Sequence, residues 1–156
     1  MKNRTKQLLA FIIQNHPGVS ITSLMKLSYI IDLVSIQKTG NPISSFEYLR
    51  YKYGPFDNKI YDYLAELRLN NVVNDDVAYS QTGDEYIIYN FNENNEFKFD
   101  KLSEEEKDIA LEVIEELKGY GAKALVELAY KTKPMKKLGA KTNNEKGLNE
   151  KLDLRA

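Results

Sequence analysis

The sequence has no cysteine, no tryptophan and a single histidine, His16, in 156 residues. Without thiols there is no disulfide framework, no cysteine-ligated zinc and no thiol nucleophile, and a reducing cytoplasm suits such a chain. One imidazole leaves little with which to build a histidine metal centre or to activate a serine. His16 stands just before Pro17-Gly18, where a helix should end, so it reads as a partner for the last helical carbonyls and not as a base. Long apolar runs are missing too: LLAFII, near the start, is far too short to cross a bilayer, and no small-residue cleavage pattern follows it. Phosphate-cradling glycine loops and dinucleotide fingerprints are absent. Glu104, Glu105 and Glu106 are the only acidic run worth testing as a metal site, and three acids in the first turn of a helix are what the helix dipole favours. These absences predict a cytoplasmic protein with no cofactor, no metal, no membrane partner and no catalysis.

The charges that are present nearly cancel, at −1, but they are unevenly spread. Residues 1–130 hold 14 basic and 20 acidic side chains, against 8 and 3 in residues 131–156. An acidic body repels phosphate backbones, so nucleic acid is not a favoured partner. The length fits one domain, and we place it at residues 1–133, followed by a basic, flexible tail over 134–156 that has too few apolar residues to pack.

Hydrophobic spacing orders the rest. Leu8, Leu9, Ile12 and Ile13 predict a first helix, and Leu24, Leu27, Ile31 and Val34 a second, ended by Gly40 and Pro42. FEYLRYKY reads as a strand and Phe56 to Leu69 as a third helix capped by Asp57. VVNDDVAYS and DEYIIYNF flank a Gly83 turn and predict a hairpin. Ser103 with Glu106 forms a capping box for a fourth helix, and AKALVELAYK supplies a fifth. The fold class is α+β and mainly α: about five helices with a small strand and hairpin element, in the order of a winged helix. Such a fold offers a DNA-binding regulator as one function, although Phe56 to Leu69, its recognition helix, carries Asp57, Asp62 and Glu66 against Lys59 and Arg68.

The stretch YKYGPFDNKIYDYL packs five aromatic rings into fourteen positions around a Gly-Pro break. Rings beside a rigid break serve either a core or a recognition surface. We read Gly54-Pro55 as a sharp exit from strand to helix, with Phe56 packing inward against Ile30 to Val34 and with Tyr51, Tyr53 and Tyr61 as candidate exposed anchors.

Lys26, Leu27, Tyr29 and Asp32, then Gly40, Pro42 and Ile43, then Lys52, Tyr53, Gly54 and Pro55 with Tyr61 in the following helix, give this chain a pattern that resembles the Panacea domain family of SocA-like antitoxins. Leu102, Ser103, Glu106, Ala122 and Leu125 resemble its second half, so the likeness spans about residues 20–133. The chain has Ala129-Tyr130 where family members often have a Thr-His pair. The resemblance implies a non-catalytic, mostly helical domain that neutralises a toxin protein encoded beside it. Some relatives act as adapters to a protease, and others lie in prophages. It implies partner binding through Lys26, Tyr29, Asp32, Tyr51, Lys52, Tyr53, Gly54, Pro55 and Tyr61.

Overall fold

Apolar residues at one-face helical spacing need a second surface to cover them, and the computed structural model, which describes residues 2–156, shows what covers each. Leu8, Leu9, Ile12 and Ile13 lie fully buried in α1 (Asn3–Asn15), whose C-cap is His16, its backbone N–H donating to the Ile13 carbonyl. Gly18 takes φ +76°, and the short strand β1 (Val19–Ser20) follows. Ser20 then caps α2 (Ile21–Thr39), its hydroxyl accepting from the Ser23 N–H at 3.1 Å, and Gly40 ends the helix at φ +87°. From Ser23 to Tyr29 every residue of α2 is buried, because α1, the β2–β3 hairpin and two later helices surround it. Leu24, Leu27 and Ile31, buried to within 1%, each stabilise the fold by about 1.5–3 kcal/mol.

The aromatic stretch folds differently from its sequence reading. Strand β2 is only Leu49–Tyr51; the chain turns at Lys52-Tyr53 and returns antiparallel as β3 (Gly54–Phe56). Gly54 has φ +103° and neither turn residue has a positive φ, the pattern of a type I turn closed by a glycine bulge. Gly54-Pro55 is therefore the second arm of a hairpin and not an exit from strand to helix. Pro55 is tolerated there because its register partner Arg50 directs its backbone groups the other way. The third helix, α3 (Ile60–Leu69), starts four residues later than expected. Asp57 still shapes its approach: one carboxylate oxygen accepts from Lys59 N–H and the other from Glu47 N–H. Phe56 is half-buried and stacks on Tyr51, at 5.2 Å between centroids and 10° between planes.

The predicted hairpin is present as β4 (Val73–Tyr79) and β5 (Glu85–Phe91), closed by Gly83 at φ +87°. Strand β1 adds to it, giving an antiparallel sheet in the order β1-β5-β4. With α1, α2 and α3, this is the element order and sheet order of a winged helix, into which the β2–β3 hairpin is inserted. The capping box opens α4 (Glu104–Glu116): Ser103 Oγ accepts from Glu106 N–H at 3.0 Å, and Glu106 accepts from Ser103 N–H at 2.9 Å. Then come α5 (Ala122–Tyr130) and a sixth helix, α6 (Lys133–Lys137), that periodicity did not reveal. Among the described residues no helix is long and apolar enough to cross a membrane.

Residues 134–156, expected to be mobile, are held against the body. Pro134, Met135, Ala140 and Leu152 are buried. Residues 149–152 run antiparallel to the outer edge of β2: Asn149 N–H donates to the Arg50 carbonyl, Arg50 N–H to the Glu150 carbonyl, and Leu152 N–H to the Tyr48 carbonyl, at 2.7–2.9 Å. A strand edge with unpaired amides is a template for any extended segment, and here the chain's own later residues fill it.

Candidate partner-binding surface

The turn Lys52-Tyr53 is the most exposed part of the inserted hairpin, with Tyr53 65% exposed. A two-residue tip on three-residue strands has little stiffness of its own. Here it is fixed from beneath by buried side chains that bind its carbonyls. Lys26, on α2, donates to the Pro55 carbonyl at 3.1 Å, with its ammonium 5.7 Å from the centroid of the Phe56 ring. Tyr130, at the end of α5, donates to the Lys52 carbonyl at 3.1 Å. Arg50 donates from Nη1 to the Tyr51 carbonyl and from Nη2 to the carbonyls of Lys141 and Asn144, while its guanidinium lies over the Tyr130 ring at 5.2 Å. Position 54 favours glycine because its φ is +103°, which L side chains rarely adopt; a Cβ there would meet Lys26 Cε at 3.4 Å and Tyr130 Cε2 at 3.6 Å, ordinary packing distances.

Neither cation has a carboxylate partner among the described residues. Burial consequently pulls the Lys26 ammonium from 10.5 down to about 8. The consequence for stability has a definite sign. Between pH 8 and 10.5 the unfolded chain holds a proton at this position that the folded chain has released, so stability rises with pH across that window, by up to about 3 kcal/mol. Above pH 10 the trend reverses, because Tyr29, pushed up to about 12 by burial, keeps its proton when folded and loses it when unfolded. Urea unfolding at pH 7.5 and pH 9.5 should show the rise in the native protein and not in Lys26→Met. Equal slopes in the two proteins would mean that the ammonium is solvated.

A second buried cluster holds the segment that leads into β2. Asp32 is fully enclosed; its Oδ1 accepts from Ile43 N–H at 2.8 Å and Ser44 N–H at 2.9 Å, and its Oδ2 from the Ser44 and Tyr48 hydroxyls. Burial raises its carboxyl above the usual range, and these four bonds oppose the shift. Ser28 Oγ lies 2.8 Å from the Tyr48 hydroxyl, whose ionisation is pushed far up by burial and by Asp32. Tyr29 packs edge-on against Tyr48 at 5.2 Å, and its hydroxyl lies 2.7 Å from Thr132 Oγ1.

The residues assigned to partner binding thus divide in two. Lys52, Tyr53 and Tyr61 stand in solvent, and Tyr51 is half-buried. Lys26, Tyr29, Asp32, Gly54 and Pro55 are buried, so they offer no contact surface themselves and serve the packing beneath the exposed residues. Arg50 and Tyr130, which lock the turn, were absent from the sequence assignment. Tyr130 alone carried a signal, as one of the two positions that depart from the family pattern.

This geometry coincides with a sequence match. Residues 24–135, from α2 into α6, match the model of the family described as antitoxin SocA-like, Panacea domain. The chain belongs to that family. No curated protein and no solved structure matches it.

Proposed function

We propose that this protein neutralises a toxin protein encoded beside it by binding it, without catalysis, through the Lys52-Tyr53 turn and the adjoining rings of Tyr51 and Tyr61. The observation that supports this reading is the way the turn is made. Three buried donors spend their hydrogen bonds on the backbone of a turn whose own side chains touch solvent. A rigid aromatic on a pre-ordered loop is a strong interface anchor, since little conformational entropy remains to be lost on docking. Lys52 adds a long cation, its ammonium 5.6 Å from the centroid of the Tyr53 ring.

The winged-helix order of elements favours a competing reading, operator binding through α3 and the β4–β5 wing. Residues 60–97, which span both, hold eight acidic side chains and one basic. A groove-binding surface of that sign would repel the phosphates it must approach.

The test is Tyr53→Ala, with melting and affinity for the product of the neighbouring gene measured on one sample. An exposed anchor predicts an unchanged melting temperature and an affinity weakened by about 2 kcal/mol, near 30-fold. A lowered melting temperature with unchanged affinity would return this ring to a structural role and refute the proposal.

A further inference from the structure

A two-stranded ribbon that packs on nothing should be polar on both faces, because water covers both. The outer half of β4–β5 is not. Val77 pairs across the strands with Ile87, on the same face as Tyr79, while Tyr86 pairs with Ala78 on the opposite face. Val77, Tyr79, Tyr86 and Ile87 are all exposed, Tyr79 by 64%. Around these rings the charge has one sign: residues 69–97 hold six acidic side chains and no basic one. Among the described residues only Asp75 of these acids has a cation, Arg68 of α3, at 2.9 Å.

The ribbon does not invite strand addition. Val72, facing Asn92, and Ser80, facing Asp84, are bonded across the hairpin, so the even-numbered residues of β4 point their backbone groups inward and the odd-numbered ones point outward. The outward N–H of Val77 is taken by the Asp76 carboxylate at 2.7 Å, which places a negative charge on the open edge. An edge occupied in this way resists pairing with another chain, and any docking must use side chains on the faces.

Aromatic rings also extend from the presenting turn toward α3. Tyr51 stacks on Phe56, and Phe56 lies 5.9 Å from Tyr61. Rings therefore run from the inserted hairpin to the start of α3. Tyr89, on the same face of β5 as Ile87, is buried at the base of the arm.

From the exposed apolar pairs and the single sign of charge, we infer that the β4–β5 arm is a second docking element for the same protein partner, and that the partner's matching face carries lysine or arginine side chains around an apolar patch. An acidic arm disfavours DNA and anionic lipid by the same electrostatics that attract a cationic protein. The inference rests on the function proposed above, and it adds the chemistry of the partner.

Two variants test it against the protein made from the neighbouring gene. Glu85 and Glu93 are exposed and unpaired among the described residues. The double variant Glu85→Lys, Glu93→Lys should slow association about tenfold at low salt and flatten its dependence on ionic strength. Val77→Ser with Ile87→Ser should leave association nearly unchanged and speed dissociation about tenfold. Melting curves and circular dichroism matching the native protein establish that both variants are folded. If Tyr53→Ala weakens the complex while both arm variants bind like the native protein, the arm inference is overturned and the function reading stands. If the native protein does not bind that partner, both fall. Self-association of the chain alone, abolished by the arm variants, would assign this face to a second copy and likewise overturn the inference.

Discussion

Asp32→Ala is expected to destabilise the protein by about 3–5 kcal/mol, enough to leave much of a marginally stable domain unfolded. The side chain accepts four hydrogen bonds in a site with no solvent contact. Truncation strands the N–H groups of Ile43 and Ser44 and the Ser44 hydroxyl proton in a buried space, and each unsatisfied group costs about 1–3 kcal/mol, whereas the Tyr48 hydroxyl can turn to Ser28. Chemical denaturation of the purified variant measures this directly. Asp32→Asn is the informative companion. Its carbonyl can still accept from the two N–H groups, while its amide faces hydroxyls that can turn their lone pairs to it, so it should retain well over half of the lost stability. A loss below about 1 kcal/mol in Asp32→Ala would mean that the 43–48 segment is held by something other than this carboxylate.

Arg50→Met should cost on the order of 3 kcal/mol and act on a different part of the molecule. Its guanidinium ties the Tyr51 carbonyl of the hairpin to the carbonyls of Lys141 and Asn144. Its Nε has no hydrogen-bond partner in the protein, so the side chain's buried cost is already incompletely compensated. Methionine keeps the packing against Tyr130 and removes every donor. Limited proteolysis should then cut within residues 138–150 well before the body is digested, and hydrogen exchange at Asn149 and Leu152 should accelerate. Uniform digestion of variant and native protein would show that residues 149–152 are held by the strand pairing alone.

The elements legible in the sequence are those whose cause is local. The periods of α1 and α2, the Ser103–Glu106 capping box and the Gly83 turn are written in neighbouring residues, and all four are where they were expected. Strand β1 is two residues long and exists because Tyr89 and Ile88 lie beside it. Strand β3 depends on a reversal that Gly54-Pro55 equally permits in a strand-to-helix exit. The tail was misread for the same reason. Its apolar residues follow no period, and it is ordered by the open edge of β2 and by Arg50, neither of which is near it in sequence.

The candidate site was legible by position and not by depth. The Lys-Tyr-Gly-Pro pattern marked the segment, although it read as an exit from strand to helix, and a motif does not say which of its members face water. Arg50 lies outside the family pattern, and its burial comes from residues 141–152, far away in sequence, which cover one side of the strand. Lys26 reads as a solvated position on a helix, and its burial follows only from the crowding around α2.

The seam between β2 and residues 149–152 joins segments about a hundred residues apart. A nascent chain can form α1, α2 and even the β2–β3 turn early, but Arg50 then points its charge at empty space where Lys141 and Asn144 will later arrive. Contacts between such distant segments form late, since the intervening chain must first be ordered. The turn that presents Tyr53 therefore gains its last restraint only after the segment past Asn144 has joined the body. On the proposed function, a ribosome stalled short of that point carries a chain whose presenting turn is held by Lys26 and Tyr130 but not yet clamped through Arg50 to the later segment.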